Sequence, residues 1–303
     1  MHIDKIYNSL VQDILDEGMR KENRTGVDTV STFGLHYNYD LLDGFPLLTG
    51  KQISWKNIVV EMLWFLSGKT DIEILRRHGC KFWDAWADEE GKVPSAYGNF
   101  WRHFPVHGES DGFGRRELGF NDQIQWAVEE LKRNPMSRRV VVSAWAPGNA
   151  QTSKLPPCHC MFVFNVQNDD RGQKRLCLHL TQRSCDVALG VPYNIASYAL
   201  LLHIVARLTG LTVGTFSHTL VDAHIYTKKP DGSMSEYDHV PGLEEQIARE
   251  ILPSPSLHIS SGFQRLEDLE WLLHPTTSIE EILKTFELRN YKPHSAIAFK
   301  VAV

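Results

Sequence analysis

Residues 175–183, RLCLHLTQR, alternate apolar and polar side chains almost without a break. A β-strand turns successive side chains to opposite faces. Leu176, Leu178 and Leu180 therefore share one face, and Cys177, His179, Thr181 and Arg183 share the other. The leucine face needs a core to bury against, while the polar face is expected to line a wet cavity or an interface. RVVVSAW (139–145), MFVFNV (161–166) and the stretch around HTLVDAHIY (218–226) are rich in β-branched and aromatic residues and read as further strands. Between them lies NIASYALLLHIVARLTG (194–210), the most apolar helical pattern, read as a central buried helix. Its longest apolar run, YALLLHIVA, is too short to span a bilayer and contains His203. This order predicts an α+β fold, a mixed β-sheet with packed helices.

Helical spacing also marks Ile3, Ile6, Tyr7, Leu10, Val11, Ile14 and Leu15, with Gly18 expected to end that helix in a left-handed conformation. A second helix is expected from Ser54 to Gly68, and a third from a capping box, Thr70 with Glu73. NDQIQWAVEELKRN (121–134), LEEQIARE (243–250) and SIEEILKTF (278–286) supply others. No Ser/Gly/Pro-rich linker divides the chain, so residues 1–303 read as a single catalytic domain. Two polar excursions, near 107–119 and 228–238, read as surface insertions.

A net charge of -5 argues against a general nucleic-acid or membrane binder, though not against a local basic pocket for a small anion. Five cysteines, an odd number, fit free thiols in a reducing compartment better than a disulfide framework. With no basic-then-apolar leader at MHIDKIYNSL, the expected location is cytoplasmic.

Several residues need an explanation. Glu61 sits among Val59, Val60, Met62, Leu63 and Trp64, where a carboxylate is costly unless partnered or kept protonated by a raised pKa. The alternative is a helix whose polar edge crosses that position. Arg183 with Ser184 makes a good phosphate grip. Arg138 and Arg139 precede a strand, and Arg24 lies in the turn-like NRTG. Each arginine alone is a solvated side chain by default, but four near strand ends point to an anionic small-molecule site. LPPCHC (155–160) sets Cys158, His159 and Cys160 side by side. Zinc sites favour paired Cys-x-x-Cys or His-x-x-x-His spacing, and neither occurs within LPPCHC. In an extended strand Cys158 and Cys160 would point one way and His159 the other. Packing, a nucleophile, and metal or redox use all stay open, with the arginines tipping the balance towards an activated thiol.

LPPCHC, QRSCDVALGVPYNIASYALL and HTLVDAHIY together resemble the folate-dependent thymidylate synthase family. ENRTG, DGFPLLTGK, EMLWFLSGKT, WDAWADEEG, AYGNFW, NDQI, SRRVVVSAW and the closing YKPHSAIAFKVAV occur in that family's order. The resemblance covers nearly the whole chain apart from the two excursions. It implies a thymidylate synthase-like fold and the reductive methylation of dUMP with 5,10-methylenetetrahydrofolate, without metal. Cys158 would attack C6 of the pyrimidine. Glu61, Tyr97 and His159 would manage water and protons, and Arg183 would sustain the Cys158 thiolate.

The same resemblance assigns the nucleotide to Arg24, Gln182, Arg183, Ser184, Asn194, His224 and Tyr226. Arg138 and Arg139 would reach in from the second subunit of a homodimer. It assigns the folate to Lys51, Phe82, Trp83, Trp86, Asp186, Gly190, Tyr193 and Val303. Asn194 suits uracil, since an aspartate takes this place in cytosine-specific relatives. There are departures from the family pattern. Val163 replaces a glutamine expected near the nucleotide, Gly50 a threonine, Ser295 a proline and Val221 a glycine, and NRTGVDT a more usual Thr-Gly-Thr run. They keep a second reading in view, pyrimidine-nucleotide 5-hydroxymethylation of dUMP, CMP or dCMP, in which water replaces the hydride. A non-catalytic nucleotide- or metal-binding protein is a third, opposed by the joint presence of Cys158, Glu61, Tyr97, Asp186 and Asn194.

Overall fold

The computed structural model describes residues 1–110, 116–150, 153–260 and 262–302. Its strands are β1 (Met19–Lys21), β2 (Asp28–Asp40), β3 (Phe104–Ser110), β4 (Arg116–Asn121), β5 (Val141–Ser143), β6 (His159–Asn168), β7 (Lys174–Gln182), β8 (Cys185–Asp186), β9 (Thr212–Thr227), β10 (Ser256–Ile259) and β11 (Phe286–Arg289). The helices are α1 (Ile3–Glu17), α2 (Trp55–Ser67), α3 (Glu73–Arg77), α4 (Tyr97–Arg102), α5 (Gln123–Arg133), α6 (Pro147–Ala150), α7 (Gly190–Thr209), α8 (Val240–Ala248) and α9 (Ile279–Thr285). The main sheet runs β1-β2-β9-β7-β6-β5, with β8 beside β9. The β7–β9 and β8–β9 pairs are parallel and the other pairs of this sheet antiparallel. This is the mixed sheet of the α+β expectation.

The alternation in β7 sets the layers. Leu176, Leu178 and Leu180 are fully buried, and in register with them lie Val166, Phe164 and Phe162 on β6. Phe216 and His218 continue the inner face onto β9, and Tyr39 and Tyr37 carry it onto β2. Helix α7 packs across β7 and β9 with α2 and α5 beside it. By length and composition α7 could cross a membrane, but 78% of its most apolar stretch is buried inside the protein. It is the core helix of the fold. The opposite face of the sheet is partly open to solvent. Phe33 there is 84% exposed, and Met161, Val141 and half-buried His179 and Thr181 share the surface.

Helix ends follow local chemistry, with two corrections to the sequence reading. The Ser54 side chain accepts from Asn57 N, and Gly68 closes α2 at φ +69° in the left-handed region. Gly18 does end α1, but in extended backbone at φ -68°. A Cβ there would lie 2.3 Å from Ile14 O and 2.6 Å from Val30 Cγ1, so space, not handedness, demands glycine. The Thr70 capping box does not form. Thr70 O accepts from Val93 N at 2.8 Å, and α3 starts at Glu73 behind Ile72 with no side-chain cap. Of the polar excursions, β3 and β4 form a separate two-stranded sheet, and 111–115 lie outside the described residues. Residues 228–238 run along the surface, and Glu236 and Tyr237 meet the C-terminal segment at Lys300.

Candidate active site

A cavity of about 490 Å³ opens where β6, β7, β8 and the start of α7 face α2, α4 and the C-terminal segment. It gathers Arg24, Glu61, Phe82, Trp83, Trp86, Tyr97, Cys158, His159, Gln182, Arg183, Ser184, Asp186, Gly190, Tyr193, Asn194, His224 and Tyr226 from across the chain. Lys51, Arg138 and Arg139 are not on its wall, and Val303 lies outside the described residues. Arg138 and Arg139 stand exposed before β5. Lys51 is buried behind the wall, where its ammonium donates to Ala188 O and lies 4.4 Å from the Phe299 ring centre. Burial lowers the Lys51 ammonium to about 8 against the opposing pull of Asp186.

Cys158 immediately precedes β6, and its strand geometry departs from simple alternation. His159 pairs with Gln182 and Met161 with Thr181, so a bulge at Cys160 separates the thiol from the regular ladder. Arg183 holds the loop from the other side. Its Nε donates to Pro157 O at 3.0 Å, its Nη2 to Pro156 O at 2.8 Å, and its backbone N to Cys158 O at 2.9 Å. The Cys158 N–H donates to the Tyr97 hydroxyl at 3.2 Å. Tyr97 in turn stacks on the His159 ring at 4.5 Å.

Burial pushes the Cys158 thiol above its ordinary range, outweighing the pull of Arg183, the Tyr97 hydrogen bond and Arg24. His159 is kept neutral by burial, down to about 4, and hydrogen-bonds the Asn194 side chain.

Glu61 points from α2 into the cavity and accepts from Trp83 Nε1 at 2.7 Å. Burial raises its carboxyl to about 7, with the Trp83 bond pulling the other way. Both expectations for an acid on an apolar helix are met: it has a partner, and burial raises its carboxyl towards neutrality. The same bond fixes the Trp83 indole, which meets Tyr97 edge-on at 5.6 Å. Phe82 meets Tyr193 at 5.0 Å, and Arg24 lies 6.0 Å from the Trp86 ring centre. Trp83, Trp86, Phe82 and Tyr193 thus form an aromatic wall.

On the floor, Asp186 Oδ1 accepts from Ala188 N and Leu189 N, both at 3.0 Å, at the head of α7. Its Oδ2 has no hydrogen-bond partner among the described residues. His224 donates from Nδ1 to Asp222 O at 3.2 Å, which leaves Nε2 available, and its ring meets Tyr226 at 5.3 Å. Sequence reasoning missed Val301 and Ala302, the part of the C-terminal segment that lines the cavity. That segment is anchored by His239 Nε2 donating to Lys300 O at 2.9 Å and by Arg249 Nη1 donating to Ser295 O at 2.7 Å.

The departures fall mostly outside the cavity. Val163 belongs to the opposite sheet face, in register with Val141 and His179, and does not line the cavity. Gly50 donates its N–H to the buried Asp4 carboxylate at 2.9 Å, and the Ser295 carbonyl accepts from Arg249. Among the described residues no group of three His, Cys, Asp or Glu side chains gathers as a metal set.

A sequence model of the family described as thymidylate synthase matches residues 5–303. A curated relative, the thymidylate synthase of Haloferax volcanii, is 41% identical over 345 aligned positions. The alignment covers 97% of this chain and 95% of the relative.

Proposed function

Because the chain belongs to the thymidylate synthase family, we propose that its cavity converts dUMP to dTMP by reductive methylation through a covalent bond from Cys158 to C6. The observation that carries this assignment is a single chamber holding the Cys158 thiol, a Glu61 carboxyl of pKa about 7 and an aromatic wall.

In this reading the phosphate lies against Arg24, the Ser184 hydroxyl and the one Arg183 amino group left free by the Pro156 and Pro157 carbonyls. The sugar hydroxyl meets His224 Nε2 and the Tyr226 hydroxyl. Asn194 accepts from N3–H and donates to O4. Attack by sulfur on C6 moves electron density through C5 to O4, where the Asn194 amide stabilises the developing charge. Tyr97, with its hydroxyl beside Cys158, orients the water that takes up the C5 proton. Glu61 holds and moves protons between water and the pyrimidine, because a carboxyl near pKa 7 can both give and take at neutral pH.

The residues present suit a reduced folate. Trp83, Trp86, Phe82 and Tyr193 offer flat stacking surfaces, and the free oxygen of Asp186 can accept from a pterin N–H. When bound, the 5,10-methylenetetrahydrofolate supplies the one-carbon unit and the hydride that completes the methyl group. Lys51 acts from behind the wall, holding Ala188 and Phe299 in place. Val301 and Ala302, in the anchored segment, close over the folate. Water exclusion by the aromatic wall and this segment favours methylation over hydroxymethylation.

The partly open sheet face, with exposed Phe33, Met161 and Val141, supports a homodimer whose second copy presents Arg138 and Arg139 to the phosphate. The odd cysteine count and free thiols support a cytoplasmic location. The test is product identity. Incubation of the enzyme with dUMP and methylenetetrahydrofolate should yield dTMP and dihydrofolate in equal amounts, read by mass and absorbance. A hydroxymethyl nucleotide with tetrahydrofolate would contradict the assignment, and dCMP should be turned over far more slowly than dUMP.

A further inference from the structure

Asn194 is held by a chain of buried polar groups that runs away from the cavity. Its Oδ1 accepts from Gln182 Nε2 at 3.1 Å, and the same nitrogen donates to Ser184 O at 3.1 Å. Gln182 Oε1 lies 3.1 Å from Nε2 of His218, and His218 Nδ1 lies 2.9 Å from the Tyr37 hydroxyl. His218 is 0% exposed, Gln182 3% and Tyr37 7%. The register explains the contact: Tyr37 on β2 and Leu180 on β7 flank His218 on β9, all on the inner face of the sheet.

In a dry chain the groups with no choice set the direction of every bond. The Tyr37 hydroxyl has no other acceptor among the described residues, so its proton points at Nδ1. Burial keeps the phenol protonated, and Cys185 nearby acts in the same direction. Burial also keeps the imidazole neutral, with His159, His179 and His36 reinforcing it. A neutral ring that accepts at Nδ1 carries its proton on Nε2 and donates to Gln182 Oε1. The Ser184 carbonyl can only accept, so it too requires the Gln182 nitrogen on its side. The Gln182 N–H then faces Asn194 Oδ1.

We propose that Tyr37 and His218 are specificity-determining residues that act through Gln182 to lock the Asn194 amide in the orientation that reads uracil. The proposal rests on the reading that Asn194 contacts the base. Uracil presents a donor at N3 and an acceptor at O4, which the locked amide meets. Cytosine presents the reverse pattern and needs the amide turned over. Turning Asn194 alone sets donor against donor at Gln182. Turning both amides sets Gln182 N–H against His218 N–H and its oxygen against the Ser184 carbonyl. Each such mismatch in a buried site reduces the turned-over population by about tenfold.

An asymmetric signature follows. In Tyr37→Phe the ring is free to take the other tautomer, and in His218→Phe the donor to Gln182 is gone. The uracil-reading orientation falls from nearly all of the population to no less than about half, so dUMP binding weakens by about twofold. The turned-over minor state rises, so dCMP binding should tighten by about tenfold. Dissociation constants for both nucleotides would be measured on the full-length enzyme and the two variants, with Asn194→Asp alongside. Loss of packing alone would weaken both nucleotides together. Parallel weakening, or no change, in both relay variants while Asn194→Asp still shifts preference to dCMP would overturn the relay and leave the base-reading role standing. No shift in Asn194→Asp would sink the base-reading role and the relay with it.

Discussion

Cys158→Ser is expected to lower kcat by about 10⁴- to 10⁶-fold while dUMP binding stays within a few-fold. The substitution changes one atom on the cavity wall and leaves the Arg183 clamp intact, because Arg183 holds the Pro156, Pro157 and Cys158 carbonyls rather than the sulfur. The fold and the phosphate site should therefore survive. Reactivity should not. Burial already holds the thiol above its ordinary range, and a hydroxyl in the same place is a far weaker acid and nucleophile. Steady-state turnover with saturating dUMP, together with equilibrium nucleotide binding, separates the two effects. Turnover within tenfold of wild type would remove Cys158 from the chemistry.

Glu61→Gln should lower kcat by about 10²- to 10⁴-fold and erase an inflection near pH 7 from the pH profile. The amide keeps an oxygen for Trp83 Nε1–H, so the indole should stay in place while proton exchange is lost. A stability change of known sign should accompany the loss of activity. Burial raises the Glu61 carboxyl from 4.5 to about 7, so folding favours its protonated form. That preference is fully satisfied below the unfolded value and is lost as pH rises through about 7. Above that pH the ionised carboxylate costs the folded state about 3 kcal/mol. Glu61→Gln should therefore melt higher than wild type at pH 8, with the difference vanishing near pH 4. Lower activity with an unchanged inflection and no pH-dependent gain in stability would show that Glu61 is not the group titrating near neutrality.

The elements readable in the sequence are those where one physical demand dominates. The leucines of β7 and the apolar run of α7 each need a single buried face, and both lie where alternation and helical spacing place them. Strand β2 was not legible. Its first half mixes Thr and Ser with an exposed Phe33, and Gly34 interrupts it at φ +82°, so no single buried face dominates its pattern. Gly18 and Thr70 show the same limit at helix ends. Gly18 is required by a close approach of β2, and Thr70 is engaged by residue 93, and neither neighbour is visible locally.

For the site, Glu61 stood out because a carboxylate on an apolar helix needs an explanation, and Cys158 because of its arginine company. Tyr37 and His218 did not stand out, since a histidine among β-strand residues is ordinary until the register shows it buried beside Tyr37 and Gln182. A sharper signal was present in the alternation itself. Phe216 and Leu220 mark the inner face of β9, and His218 sits between them. Val163 shows the reverse error: simple alternation puts residue 163 on the same face as His159, four positions back, while the bulge at Cys160 shifts the register and carries it to the opposite face.

The most direct test of the central claim is an intact-protein mass measurement on enzyme trapped by rapid acid quench during turnover of dUMP with methylenetetrahydrofolate, followed by peptide mapping. The account predicts a nucleotide-bearing adduct confined to the peptide that contains Cys158, absent from Cys158→Ser and formed only with active substrate. Turnover to dTMP with no adduct under any quench condition, or an adduct on Cys160 or another thiol, would contradict it.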